Sequence, residues 1–271
     1  MEMSEPRANV LGVGLSAINL EQAVDHLVSS ARQGLRGYVC VTGVHGVTEA
    51  RNDPAFRQIL NQAFLNVPDG MPMSWVGWAQ GHRAMDRVYG PDLMLEILRR
   101  SVPLGLTHFF YGGKEGVADL LAEKMQSRFR GLQVVGTFCP PFRALTGNER
   151  AELQSRIAER KPDFFWVGLS TPKQERFMAE FLPLLDAKIM VGVGAAFDFH
   201  AGLVSQAPGW MQRAGLEWLY RLGTEPRRLG RRYLINNPLF IWRIGLQLSG
   251  LRSYRVEESG GQAPFPPIKT D

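Results

Sequence analysis

The chain is 271 residues long, enough to bury a substantial core, and its 45% hydrophobic and 21% charged residues exclude wholesale disorder. Its two cysteines, Cys40 and Cys139, are too few for a disulfide scaffold or a zinc ribbon and fit a reduced, cytoplasmic setting. The net charge of +5 is uneven: residues 205–255 hold nine arginines, no lysine and two acids, for +7, residues 256–271 sum to −2, and residues 1–204 are neutral. A neutral body beside a cationic segment points to an anionic partner. The first residues, Met1 to Arg7, show no basic-then-apolar signal pattern. The most apolar stretch, Tyr233 to Leu251, is interrupted by Asn236, Asn237, Pro238, Arg243 and Gln247, so no membrane span is expected.

In chain order, short apolar runs predict strands at Asn9–Val13, Tyr38–Thr42, Phe64–Val67, His108–Tyr111, Gln133–Thr137, Phe164–Val167 and Ile189–Val193. Between them, Asn19 is placed to cap a helix Leu20–Arg32, with Gln22 at the capping-box position. Asp53-Pro54 reads as N-cap and first residue of Ala55–Ala63. Helical runs follow at Ser74–Gln80, Leu93–Arg100, Glu115–Phe129, Asn148–Arg160 and Pro172–Leu182, the last capped by Thr171. This alternation predicts an α/β fold, a Rossmann-like and largely parallel sheet with helices on both faces. Gly12-Val13-Gly14-Leu15-Ser16-Ala17 fits the loose G-x-G-x-x-A pattern, but its helix starts late and no acid ends the next strand, so a dinucleotide site is not expected there.

After residue 204 the pattern changes. Trp210, Ala214, Trp218 and Leu222 recur every four residues, and Arg213, Glu217 and Arg221 do so on another face, predicting an amphipathic helix with two i,i+4 ion pairs. Glu225-Pro226 opens a second helix on which Arg227, Arg228, Arg231 and Arg232 share a sector, with an interruption at Asn237-Pro238. Arginines beside Trp210, Trp218 and Trp242 favour a membrane surface over nucleic acid. The chain is therefore expected to divide into an α/β domain (1–204), a basic helical membrane-binding appendage (205–252) and a disordered tail (253–271).

Ligands of α/β sheets bind at the carboxyl ends of strands. Asp69 sits there in Val67-Pro68-Asp69-Gly70, where a carboxylate can take a proton from a hydroxyl, though the same residues also make an ordinary turn. Arg87 is either a surface cation or a planar fork for a diphosphate. Gly112 and Gly113 let backbone N–H groups approach an anion or simply form a βα turn. Gly168 to Glu175 places Lys173, Gln174 and Glu175 at another strand end, and Asp198 lies among apolar residues where a carboxylate needs a partner. Of the five histidines, His45 alone lies close to a strand end of interest, and none shows metal-site spacing. No Asp-x-Asp is present and no metal or cofactor is expected.

Taken together, Asn66–Gly70, Arg87–Met94, Gly168–Glu175, Gly192–Gly202 and Trp210–Pro238 resemble the WecG/TagA/CpsF glycosyltransferases, over about residues 9–250. The resemblance implies an inverting, metal-independent transferase that moves a sugar from a UDP-sugar donor to a polyprenyl-diphosphate-linked sugar acceptor. It implies work at the inner face of the cytoplasmic membrane, in cell-surface or exopolysaccharide synthesis, and leaves a homo-oligomer open. It makes Asp69 the general base, sets Arg87 and Gln174 near the donor diphosphate and sugar, and adds Asp198 to the pocket. It assigns phosphate contacts to Arg221, Arg228 and Arg231. Thr42 falls where the family contacts nucleotide or sugar. The family often has Thr-x-Asn there; this chain has glycine at 43 where the asparagine falls, which sets Thr42 one residue past the family's threonine. The competing readings are a non-catalytic, membrane-bound nucleotide-binding scaffold and a nicotinamide-linked oxidoreductase.

Overall fold

The computed structural model describes residues 5–256, apart from the side chains of Arg228, Arg231 and Arg232. The expected tail therefore falls mostly, at 257–271, outside the described residues. The chain opens with a hairpin of β1 (Arg7–Val10) and β2 (Val13–Ser16), then α1 (Leu20–Arg32), β3 (Gly37–Thr42), α2 (Val44–Asn52), α3 (Pro54–Gln62) and β4 (Leu65–Pro68). It continues through α4 (Met71–Ala79), α5 (Gly90–Ser101), β5 (Thr107–Gly112), α6 (Val117–Arg128), β6 (Gln133–Phe138), α7 (Gly147–Arg160) and β7 (Phe164–Gly168). Last come α8 (Lys173–Phe181), β8 (Ile189–Gly192), α9 (Ala196–His200), α10 (Gly209–Arg213), α11 (Glu217–Thr224) and α12 (Pro226–Leu248).

The six-stranded sheet has the order β4-β3-β8-β7-β5-β6, and its β3–β8, β8–β7, β7–β5 and β5–β6 pairings are parallel. Helices fill the connections, as an α/β fold requires. Asp53 caps α3 as expected, its carboxylate accepting from the Phe56 N–H at 3.0 Å. The predicted strand Asn9–Val13 is instead two strands. Leu11 and Gly12 take positive φ of 54° and 88° and turn the chain back, so Gly12 to Ala17 belong to a hairpin rather than a strand-turn-helix. Buried Asn61 fixes that hairpin, accepting from the Gly14 N–H at 2.9 Å and donating to the Gly12 carbonyl at 3.1 Å. Thr171 does not cap α8: its hydroxyl donates to Glu175 at 2.8 Å, and Pro172 takes the cap position.

The chain folds as two compact units. Residues 5–20, 41–89 and 205–256 form the first, and residues 21–40 and 90–204 the second. Residues 205–256 are built into the first unit. Leu229, Phe240, Ile244 and Tyr254 are buried, and Gln247 accepts from the Leu11 N–H at 2.8 Å while donating to the Asn9 carbonyl at 2.7 Å. The expected 210–222 helix is broken into α10 and α11, with Gly215 at φ 71° between them, so Arg213 and Glu217 are not neighbours on one helix. Pro238 does not interrupt α12. Its missing donor costs one ladder bond, to the carbonyl of the exposed Leu234, which water can serve.

The second unit is built on an aromatic layer. His108, Phe109, Phe110 and Tyr111 of β5 pair in register with Phe164, Phe165, Trp166 and Val167 of β7. Tyr111 stacks on Phe177 at 4.4 Å, and Phe177 on Phe181 at 4.4 Å. Within this layer His108 is fully buried, and its Nδ1 accepts from Trp166 Nε1 at 3.1 Å. Burial pushes its pKa down from 6.5 to about 3, against a smaller opposing pull from Asp163. The unfolded chain therefore binds a proton that the folded chain refuses, and stability present above pH 6.5 is lost as pH falls towards 3. Urea unfolding of His108→Phe is expected to show a flatter pH dependence below pH 6.5, by up to about 1.4 kcal/mol per pH unit. Parallel profiles for the two proteins would refute this.

Candidate active site

In the first unit the site is assembled by backbone bonds. The Asp69 N–H donates to the Thr42 carbonyl at 3.0 Å, joining the ends of β4 and β3. The Val88 N–H donates to the Pro68 carbonyl at 2.8 Å, which brings Arg87 and Tyr89 to the same strand end. Asp69 is half-buried, and Gly70, at φ 86°, turns the chain into α4. Gly43 lies against the carboxylate: a Cβ there would sit 3.0 Å from the Asp69 carbonyl oxygen and 3.5 Å from Oδ2.

Arg87 is held from α10 and α11. Its Nη2 donates to Gln212 Oε1 at 2.8 Å and its Nη1 to Glu217 Oε2 at 3.3 Å, while its guanidinium lies 4.4 Å from the Tyr89 ring centre. Gln212 is itself fixed through Nε2 to the Ala207 carbonyl at 2.7 Å. The Tyr89 hydroxyl donates to Glu217 Oε1 at 2.9 Å. Burial, then Glu217 and then Asp69, raise the Tyr89 pKa, so the phenol keeps its proton and stays a donor. Glu217 thus pairs with Arg87 and Tyr89, while its expected partner Arg213 lies on the other helix, α10. Its role, with those of Tyr89 and Gln212, was not visible from motif spacing. One signal was Tyr89 itself, two residues from Arg87 and therefore on the same side of an extended chain.

The same unit holds Thr42, His45 and Arg221. Thr42 Oγ1 is buried with no hydrogen-bond partner among the described residues. His45, on α2, has Nδ1 3.3 Å from Asn236 Nδ2 and 3.6 Å from Glu49. Arg221 lies on α11, close enough to Tyr89 to lower its pKa slightly against the main trend. Arg228 and Arg231 lie on α12, and their side chains are outside the described residues.

The second unit brings together Gly112, Gly113 and Gln174 at the ends of β5, β7 and β8. A Cβ on Gly112 would lie 2.6 Å from the Gly168 backbone, so only glycine permits this approach, and the Gly113 N–H donates to the Gly168 carbonyl at 3.0 Å. α6 begins at Val117, four residues after Gly113, later than its sequence pattern suggested. Gln174 is buried, with Nε2 donating to Glu175 Oε1 at 3.0 Å and Oε1 unpartnered among the described residues. Asp198 is in the first turn of the short helix α9, half-buried. Among the described residues no group of three His, Cys, Asp or Glu side chains could hold a metal ion.

The parallel sheet, with helices in its connections, fits a Rossmann-like fold, in which ligands bind at the carboxyl ends of the strands. Residues 8–254 match the glycosyl transferase WecG/TagA/CpsF family, and the chain belongs to it. Two relatives, from Bacillus spizizenii and Bacillus subtilis, are each an N-acetylglucosaminyldiphosphoundecaprenol N-acetyl-beta-D-mannosaminyltransferase. The first is 30% identical over 83% of this chain and 85% of its own, the second 29% identical over 67% and 69%.

Glu217→Ala would leave the Tyr89 hydroxyl and Arg87 without a shared acceptor. Urea unfolding is expected to show a loss of about 1–3 kcal/mol, and a smaller loss for Glu217→Gln, which can still accept. Wild-type stability of Glu217→Ala would rule out this pairing.

Proposed function

We propose that the chain transfers a sugar, with inversion, from a UDP-sugar donor to a sugar on a polyprenyl diphosphate, at the inner face of the cytoplasmic membrane. The observation that carries the reading is Asp69 at the carboxyl end of β4, anchored to β3, with Arg87 tied to the adjoining chain. The relatives' names give a diphospho-undecaprenol sugar as acceptor, and the β-configuration in those names fits an inverting displacement.

In this reading Asp69 takes the proton of the acceptor hydroxyl as that oxygen bonds to the anomeric carbon. The anomeric C–O bond to UDP breaks, and UDP leaves with its electron pair. Arg87, oriented by Glu217 and Gln212, faces the charge growing on the departing diphosphate, joined by Arg221, Arg228 and Arg231. Gly112 and Gly113 form the turn at the end of β5 beside which a phosphate would sit, and the Gly113 N–H itself is used by the Gly168 carbonyl. Thr42, His45, Gln174 and Asp198 bind sugar and nucleotide, and the buried Thr42 Oγ1 and Gln174 Oε1 suit ligand partners.

Incubation with a panel of UDP-sugars and a short-chain prenyl-diphosphate N-acetylglucosamine acceptor is expected to release UDP only when both are present. Donor binding without turnover across the panel would favour a scaffold. Asp69→Asn is expected to bind UDP normally while turnover falls roughly 10²–10⁴-fold. Near-wild-type turnover would remove Asp69 as the base.

Membrane docking in this reading uses the outer face of α12. Leu234, Ile235, Ile241, Trp242 and Leu248 are all exposed and recur at about seven-residue spacing, opposite the buried Leu229, Phe240 and Ile244. Among the described residues no helix is long and apolar enough to cross a membrane, so this face would lie on the surface. The double variant Ile241→Asp, Trp242→Asp is expected to keep its fold and lose co-sedimentation with vesicles, neutral ones included. Unchanged co-sedimentation would place docking elsewhere.

A further inference from the structure

Four arginines of the first unit gather around one buried tyrosine. Arg51 ends α2, Arg57 lies on α3, Arg243 on α12, and Arg252 follows α12. The Arg51 guanidinium lies 4.8 Å from the Tyr254 ring centre and that of Arg252 5.5 Å. Tyr254 is only 7% exposed, and its carbonyl accepts from Asn9 Nδ2 at 2.6 Å, so it is fixed to the β1–β2 hairpin. The Arg57 side chain packs beside the same hairpin, against Gly12.

Three polar atoms of the cluster lack partners among the described residues. Arg51 Nε, Arg243 Nη1 and the Tyr254 hydroxyl are buried without a hydrogen-bond partner among the described residues. Burial lowers the Arg51 pKa; Tyr254 opposes this, and the charges of Arg243, Arg57 and Arg252 add to it. Ring faces offset some of that repulsion but supply no acceptor oxygen. An anion with several oxygens would meet the unpartnered donors and the gathered charge together. Exposed Trp242 and Leu251 are the chain neighbours of Arg243 and Arg252.

We infer that Arg51, Arg57, Arg243 and Arg252, around Tyr254, form a phosphate-binding site that shares no residue with the Asp69–Arg87 site. Its ligand is a phosphate group, carried by an anionic lipid headgroup or free in solution. This adds to the membrane part of the reading above and stands without the transfer reaction, because its readouts need no turnover.

The test uses the full chain with two probes. One is inorganic phosphate at matched ionic strength; the other is phosphatidylcholine vesicles with and without phosphatidylglycerol. Phosphate is expected to raise the melting temperature of the wild type and not of the double variant Arg51→Gln, Arg243→Gln. Partition onto phosphatidylglycerol vesicles is expected to fall about fivefold per arginine removed, and roughly 30-fold in the double variant. Arg83→Gln, an exposed arginine outside the cluster, is expected to cost less than about twofold. Without phosphate, Arg51→Gln is expected to melt no lower than wild type, since it relieves repulsion, whereas a purely structural stack would melt lower. Arg252→Gln, at an exposed position, gives the partition readout should the variants at half-buried Arg51 and Arg243 misfold. Loss of partition alone assigns the site to lipid headgroups, and loss of the phosphate shift alone to free phosphate. If neither probe distinguishes the variants from wild type, or if Arg83→Gln weakens partition as much as a cluster variant, the site does not exist.

Discussion

Two backbone hydrogen bonds at the end of β4 are the constraint on which the rest of the first unit's site depends. The Asp69 N–H is given to Thr42 and the Pro68 carbonyl is taken by Val88, so a carboxylate, an arginine and a tyrosine are brought to one strand end before any side chain chooses a partner. Buried backbone groups must be paired somewhere, and here their pairing sets the positions of the chemistry. Side-chain bonds then refine the arrangement. Glu217 takes both the Tyr89 hydroxyl and Arg87, and Gln212 takes the other arm of the fork. A planar guanidinium bound at both terminal nitrogens has little rotational freedom left, which is what a preorganised electrostatic contact requires.

The same arrangement changes the meaning of the basic C-terminal segment. Its arginines are not one solvated stripe. Arg243 and Arg252 lie with Arg51 and Arg57 around Tyr254, while Arg221 lies near Tyr89. α12 has one apolar seam folded inward and another facing out, so a single helix both completes a core and leaves a surface to be covered. A positive net charge summed over the segment cannot separate these roles, because position relative to the buried seam decides each one.

The central strands were legible because buried parallel strands are short apolar runs, and Asp53-Pro54 was legible because its capping chemistry is local. What was not legible depended on distant partners or on locally unfavoured conformations. Leu11 adopts a positive φ that leucine does not advertise, so a hairpin read as one strand. α2 went unread because Gly46 and the β-branched Val44, Val47 and Thr48 are weak helix formers. Among the candidate site residues, Asp69 and Gln174 are singled out by strand-end position and Arg87 by its planar fork, and the family match supports the resemblance that names all three. Glu217 could not be placed, since a plausible i,i+4 partner lay nearby in sequence and its actual partners are some 130 positions away.

Gly43 has a consequence for the spacing between the ends of β3 and β4. A side chain at this position would begin 3.0 Å from the Asp69 carbonyl oxygen, close enough that the neighbour must give by a few tenths of an ångström. A side chain introduced at 43 would therefore push the β3 end and the Asp69 backbone slightly apart. A general base works over a window of only about 2.6–3.2 Å from the oxygen it deprotonates. In the proposed reading of Asp69 as the base, such a shift would be a sizeable part of that window. The bare backbone at 43 lets the ends of β3 and β4 close to the spacing seen here.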